Sequence, residues 1–207
     1  MLDVGCGTGE KARFFAAHAA AAVVGVDPSS GFQEAWAAHA DCANLALVRG
    51  GFEDLGTLPG VQGQTFDLIV CFQALMYARD LAGTVMALAG LLRPGGALTI
   101  SVPHPFRFAV LKSEIEGWGL GFAYQQTQVY RYPSPWKPEV LLQHAMPRVA
   151  DYVNAIASAG LRIVACEEPP VTEELRVAAP EKAEWMDRYV GIMVFRAELD
   201  WRGDSRE

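Results

Sequence analysis

The feature that most constrains this chain is an alternation. Short runs dense in Val, Ile and Leu, at LDV 2–4, AVVGV 22–26, LALV 45–48, FDLIVCF 66–72 and ALTISV 97–102, are separated by stretches with helical spacing. Strands that are apolar on both faces and divided by helices demand a parallel sheet covered on both sides. Two later runs, LRIVAC at 161–166 and YVGIMVFRAEL at 189–199, are joined by a connection rich in Pro and Glu with no clear crossover helix. Parallel neighbours need a crossover, so an antiparallel pair at the sheet edge is expected. The length of 207 residues suits one domain with a sizeable core.

Helix ends are marked by chemistry. Ser30 and Gln33 have the spacing of a capping box before EAWAAHA, and Pro94-Gly95-Gly96 is expected to stop the helix through TVMALAGLL. The Ala-rich AAHAAAA at 16–22 reads as a helix end leading into a strand. Val149, Tyr152, Val153 and Ile156 place a helix over 149–160, with Gly160 suited to a left-handed terminus. The segment 104–147 departs from the alternation and is rich in aromatics, Pro and Gly. It reads as an insertion over the carboxyl ends of the strands, where ligands bind in open α/β sheets.

Several function classes are disfavoured. A net charge of −7 with no run of Lys or Arg argues against a nucleic-acid partner, whose binding rests on phosphate neutralisation. The apolar runs fall short of the ~20 residues of a membrane-spanning helix. Cys6, Cys42, Cys71 and Cys166 form no CxxC pair, so neither a metal site nor a disulfide framework is expected. With no secretory signal at the start, a cytoplasmic location is expected.

Chemistry concentrates in LDVGCGTGE. Gly5, Gly7 and Gly9 follow a strand and precede a helix, so the backbone can turn tightly and a ligand can approach its amides. The spacing is GxGxG rather than the GxGxxG of dinucleotide sites. Asp3 lies inside the strand, a costly place for a carboxylate unless its charge is used: either a ligand carries positive charge or the turn's amides hold it. Asp27 ends the second strand in VVGVDPS, where an acidic side chain can take ribose hydroxyls. The other reading makes Asp27-Pro28 a simple turn.

LDVGCGTGE, VVGVDPS, GGFEDL, FDLIVCFQALMY and LLRPGGALTISVP, in this order, resemble the class I S-adenosylmethionine-dependent methyltransferases, of the small-molecule type 11 kind. The likeness covers the first half of the chain, and AGLRIVACEEP extends it. It implies an α/β, Rossmann-like, doubly wound sheet of seven strands, mostly parallel with the last antiparallel, in three α/β/α layers. It also implies one domain over 1–207, with 104–147 covering the substrate, and S-adenosylmethionine as cofactor. Asp3, Gly5, Cys6, Gly7 and Gly9 would then surround the methionine part, and Asp27, beside Pro28, would bind the ribose. Relatives carry Asp where Gly51 stands; here the Phe52 backbone and Glu53 would meet the adenine. Cys71, Phe72 and Gln73 would line the turn beside the sulfonium, with core packing as the other reading of Cys71 and Phe72.

Methyl transfer needs a nucleophile held about 3 to 3.5 Å from the methyl carbon, and a hydroxyl acceptor generally wants a base. His104 in SVPHPF is the first candidate and His144 in LLQHAMPRV the second; ordered loop residues are the competing reading. Relatives read His-Arg ahead of the helix at 149, where this chain has Met146-Pro147. His18 and His39 read as surface or packing residues. Trp118, Phe122, Tyr124, Tyr130, Tyr132 and Trp136 suggest either a pocket for an apolar or planar small molecule or a satellite core. The expected function is methylation of a small-molecule acceptor, O-directed. The alternative is a non-methylating S-adenosylmethionine-binding protein or another enzyme on this fold, such as a cyclase. An RNA or protein methyltransferase is disfavoured because CFQALMY stands where an Asn/Asp-Pro-Pro-Tyr-type motif would be. Relatives also carry helices ahead of the first strand, whereas only Met1 stands here. A truncated start is expected, an open site or cover by a second subunit in a homodimer being the alternatives.

Overall fold

The computed structural model describes residues 1–18, 20–126, 129–133 and 139–200. The first half alternates as expected: β1 Leu2–Val4, α1 Glu10–His18, β2 Val23–Asp27, α2 Gln33–Ala37, β3 Leu45–Arg49, β4 Phe66–Phe72, α3 Leu81–Gly90 and β5 Leu92–Pro103. After the insertion come α6 Val149–Ser158, β8 Leu161–Glu167, α7 Glu173–Ala178, α8 Pro180–Tyr189 and β9 Ile192–Leu199. The seven-stranded sheet runs β3-β2-β1-β4-β5-β9-β8. Its first five strands are parallel, and β9 is antiparallel to both β5 and β8. The family's fold class is therefore present, including the inserted last strand.

Alternating side chains feed two apolar clusters. Val24 and Val26 of β2 join the larger, with Leu2, Ile69, Leu98 and Ile100, while Val23 joins a smaller one with Ala12 and Ala16 of α1. Helices α3 and α6 close the larger cluster through Val85, Leu88, Tyr152 and Ile156. Burying each of these side chains contributes about 1.5–3 kcal/mol, which is why the sheet positions its loop ends firmly.

Three local expectations are corrected. Ser30 and Gln33 form no capping box: Ser30–Phe32 is a 3₁₀ turn, and α2 starts after Phe32 without a side-chain cap. Pro94-Gly95-Gly96 does not stop α3, which ends at Gly90; the triplet is a bulge inside β5, where pairing passes from Phe66↔Leu92 to Leu68↔Ala97. Proline cannot donate to a ladder, so it sits where the ladder is interrupted. The connection between β8 and β9 does hold two helices. Thr172 caps α7 by accepting from the Leu175 amide, and Pro180 stands in the first turn of α8.

The insertion has structure of its own: α4 Pro105–Glu116, α5 Leu120–Gln125, and a hairpin of β6 Val129–Pro133 with β7 Leu141–Ala145. Tyr130 and Tyr132 lie on β6, while Trp136 lies outside the described residues. No helix among the described residues is long and apolar enough to cross a membrane, and none of their side chains form a metal-ligating cluster.

Candidate functional site

The carboxyl ends of β1, β2, β3 and β4 meet at the glycine turn. Gly5, Gly7 and Gly9 have φ of +78°, +58° and +85°. A Cβ on Gly5 would lie 2.2 Å from that of Ala74, just after β4, so only glycine lets the two strand ends approach this closely. Gly5 and Cys6 donate their amides to the Val26 carbonyl, at 2.8 and 3.1 Å. The buried Cys6 side chain packs with α1 and β2, and burial among carboxylates pushes its thiol far up, so it gives the turn its backbone.

Asp27 receives the Gly7 amide at 3.0 Å and the Ser29 amide at 2.9 Å, one on each carboxylate oxygen. Both bonds fix its orientation, and each oxygen keeps a second lone pair for a diol. Pro28 beside it is exposed and accepts from Arg49 Nε at 3.3 Å. Asp3 is 1 % exposed, opposite Gly25 and Val70 in the sheet centre, and its Oδ2 has no hydrogen-bond partner. Burial pushes its carboxyl up to about 6, against the pull of Lys11 and with the repulsion of Asp27. An orphaned buried carboxylate beside a glycine cradle fits a ligand that brings positive charge.

Trp36, which the sequence did not single out, and His39, read from it as a surface or packing residue, hold the turn from outside. Trp36 Nε1 donates to the Gly7 carbonyl and His39 Nε2 lies 2.9 Å from the Thr8 carbonyl, both from the α2 side. His39 is thus a packing residue with a specific task, while His18 is exposed and stacked on Phe14. Neither Trp36 nor His39 has a sequence signal beyond being polar-capable rings in an Ala-rich segment.

After β3, at Gly51, where the resemblance implies an acid, the Glu53 carboxylate stands alongside. A Cβ on Gly51 would stand 3.1 Å from Glu53 Oε2. Phe52 packs on the core edge. After β4, Cys71 is 0 % exposed and belongs to the core, whereas Phe72 is half-buried with Lys11 Nζ 5.8 Å from its ring centroid. Gln73 takes a left-handed φ of +56°, and its Nε2 donates to Ser101 Oγ at 3.3 Å. A non-glycine residue in that region is uncommon and here sits at the strand switch point.

His104 is 6 % exposed and caps α4: its Nδ1 accepts the Phe106 amide, and its Nε2 lies 2.6 Å from Glu168 Oε1. The two bonds assign the ring as acceptor at Nδ1 and donor at Nε2. His144, 3 % exposed on β7, lies with Nδ1 2.8 Å from the Ala145 carbonyl and meets Tyr77 and Phe108 edge-on. Burial lowers its pKa below 6.5. His144 lines a small cavity with Met76, past β4, and Pro103, the last residue of β5. This cavity shares Pro105, Phe108, Met146 and Pro147 with a second one of about 20 Å³ between α4, α5 and the start of α6.

Among known proteins, residues 2–100 match the methyltransferase domain family. The chain is 32 % identical over 101 residues to a ubiquinone biosynthesis O-methyltransferase of Neisseria meningitidis serogroup C, covering 49 % of this chain and 42 % of that one. A Methylocella silvestris protein of the same name is 30 % identical over 125 residues, covering 57 % and 47 %. The chain thus spans less than half the length of these relatives. Among solved structures, an S-adenosylmethionine-dependent methyltransferase from Mesorhizobium loti superposes with a TM-score of 0.70 at 23 % identity, covering 95 % of this chain and 89 % of that one. The [4+2]-cyclase SpnF superposes at 0.62 and 16 % identity, covering 96 % and 73 %. Residues 2–100 thus match the methyltransferase domain family, and the fold of the chain is one it shares with solved S-adenosylmethionine-dependent methyltransferases.

Proposed function

We propose that the chain binds S-adenosylmethionine at the glycine turn and directs its methyl group to a hydroxyl of a small molecule. The observation that carries this reading is the pairing of an oriented Asp27 with an orphaned, buried Asp3 across the same turn. When bound, S-adenosylmethionine supplies an electrophilic methyl on a sulfonium. Asp27 takes the ribose hydroxyls, Glu53 and the Phe52 backbone take the adenine, and Asp3 offsets the positive charge of the methionine part. Phe72 and Gln73 shape the wall between cofactor and acceptor.

His144 accepts the proton of the acceptor hydroxyl. Its Nδ1–H points at the Ala145 carbonyl, which makes Nε2 the basic nitrogen, and its lowered pKa keeps the ring neutral near pH 7. His104 acts as a positioning residue at the head of α4. The O-methyltransferase activity that the relatives are named for supports O-methylation, and the absence of any carboxylate among the described cavity wall residues suits an uncharged or anionic acceptor.

Calorimetric titration of S-adenosylmethionine into the chain tests the cofactor, and release of S-adenosylhomocysteine with phenolic acceptors tests the reaction. Binding with a loss of at least about tenfold in Asp27→Ala is expected, since each bond to a charged acceptor is worth roughly 1.5–3 kcal/mol. Binding without product, across a broad acceptor panel, would favour a non-methylating protein or another enzyme on this fold, such as a cyclase, the activity SpnF is named for.

A further inference from the structure

The glycine turn is held by more than its own glycines. The helical turn that ends α2 carries Trp36 and His39 three residues apart, with the His39 amide donating to the Trp36 carbonyl at 3.0 Å, so both rings share one face. That face is docked on the turn. Trp36 Nε1 meets the Gly7 carbonyl and His39 Nε2 the Thr8 carbonyl, each at 2.9 Å, and a Cβ on Gly9 would stand 3.1 Å from His39 Cδ2. In a planar trans peptide a carbonyl and the N–H that follows it point in opposite directions. Two carbonyls drawn towards α2 therefore turn the Thr8 and Gly9 amides away from it, while the Gly7 amide keeps its 3.0 Å bond to Asp27 Oδ2. The orientation of Asp27 thus depends on peptides that the two rings pin.

The partners of His39 fix where its proton sits. The Thr8 carbonyl only accepts, so Nε2 carries the hydrogen; Arg13 Nη1 lies 3.4 Å from Nδ1 and has only hydrogens to give, so Nδ1 is the accepting nitrogen. The ring is neutral in this arrangement. Arg13 is kept in place by both oxygens of Asp41, at 3.2 Å each, and by the Ala38 carbonyl at 2.9 Å. Among the described residues, Arg13 from α1 and Asp41 from the segment after α2 are the charged groups around the ring, and β3 offers the apolar Leu47 beside Gly9. A second proton, on Nδ1, would point at a guanidinium that can neither accept it nor leave without giving up Asp41.

Resting on the S-adenosylmethionine reading of the turn, we propose that Trp36 and His39 position it for the cofactor, and that the turn is set for binding only while His39 is neutral. Both are positioning residues, acting through the peptides they hold. Asp3 answers the charge of the ligand, whereas His39 governs the shape of the turn that receives it. Binding selects the neutral ring, so affinity is highest at the upper end of the interval in which an imidazole changes charge, about pH 5 to 8, and falls as pH drops through it.

The test is calorimetric titration of S-adenosylhomocysteine, from pH 5 to pH 8, into the parent chain, His39→Gln, His39→Phe and Trp36→Phe, with circular dichroism and a melt to confirm that each variant folds. Glutamine can donate from Nε2 and accept at Oε1 without titrating. At pH 8, His39→Gln is expected to bind within about threefold of the parent, while each phenylalanine variant loses about fivefold, the effect of one missing hydrogen bond. Asp3 titrates in every chain, so its part cancels when the profiles are compared. Between pH 8 and pH 5 the parent should lose at least about threefold more affinity than His39→Gln does. Parallel profiles in those two chains would overturn the dependence on His39, and undiminished affinity in either phenylalanine variant would overturn the positioning role of that ring. Failure of S-adenosylhomocysteine to bind the parent at pH 8 would instead overturn the cofactor reading. Hydrogen exchange of residues 1–13 in the free chain then decides the hold on the turn: faster exchange in His39→Phe than in the parent supports it, and equal rates overturn it.

Discussion

Asp3 concentrates the tension in the site into one side chain. Its carboxyl is pushed up to about 6 from an ordinary value of 3.8, so the folded chain holds that proton more tightly than the unfolded chain does. The associated stability is fully present below pH 3.8 and lost as pH rises through 6, leaving a penalty on the order of 3 kcal/mol above it. Asp3→Asn cannot ionise, so its melting temperature should exceed that of the parent by several degrees at pH 8 and converge with it near pH 4. The same variant should bind S-adenosylmethionine less tightly at pH 8. Equal melting at both pH values would show that the carboxylate is already compensated in the free chain. His144 carries the opposite shift. Its lowered pKa puts the neutral, proton-accepting ring in place down to below pH 6.5, so the acid limb of kcat/KM should fall below that value and vanish in His144→Gln. A limb that persists in the variant would remove the histidine from the chemistry. Asp3 and Asp27 were legible because a carboxylate inside a buried strand or at its end is costly and has to be explained. Trp36 and His39 were not, because their role depends on how α2 is docked rather than on their own spacing.

The glycine turn works as an element because its neighbours leave it no alternative shape. Gly5→Ala would put a methyl group 2.2 Å from the Ala74 Cβ and force an L-residue to φ +78°. Both effects add, and a loss of at least about 2 kcal/mol is expected in chemical denaturation. Gly90→Ala is the matched control: it stands in helix α3 with open space around its Cβ, and should leave stability unchanged or slightly raised. Equal losses at the two positions would mean that the turn can shift without cost. The central strands β1, β2, β4 and β5 were readable because runs within them, such as Ile69–Cys71, are buried on both faces and so are apolar. The β6–β7 hairpin was not, since β7 exposes Leu141 and buries His144, against the apolar-in, polar-out alternation that marks a strand. The bulge at Pro94–Gly96 shows the same limit: the triplet marks an interruption, and whether a helix or a strand is interrupted is decided by pairing with β4.

At the scale of the molecule, the proposed cofactor end is built from the strands of the first hundred residues and the proposed acceptor end from the chain between β5 and α6. The two are joined by a shared core, since Met76, Pro103 and Tyr152 line the inner cavity while Tyr152 belongs to the main cluster. A ligand that binds only the folded state stabilises everything that unfolds with its site. At a concentration one hundred times its dissociation constant, S-adenosylhomocysteine should therefore add about 2.7 kcal/mol. At about 2–4 °C per kcal/mol for a domain of this size, the melt should move up by roughly 5–10 °C. If Asp27→Ala weakens binding tenfold, the same ligand concentration is only ten times the new constant, and the gain falls to about 1.4 kcal/mol, half the shift. The expected trace is one transition that moves as a whole in the parent and half as far in the variant, followed by fluorescence of the tryptophans in both halves of the chain. Two transitions, with the ligand moving only that of Trp36, would show that the insertion unfolds on its own and that the acceptor cleft is assembled separately from the cofactor site. An undiminished shift in Asp27→Ala would mean that the ribose assignment fails although the cofactor is bound.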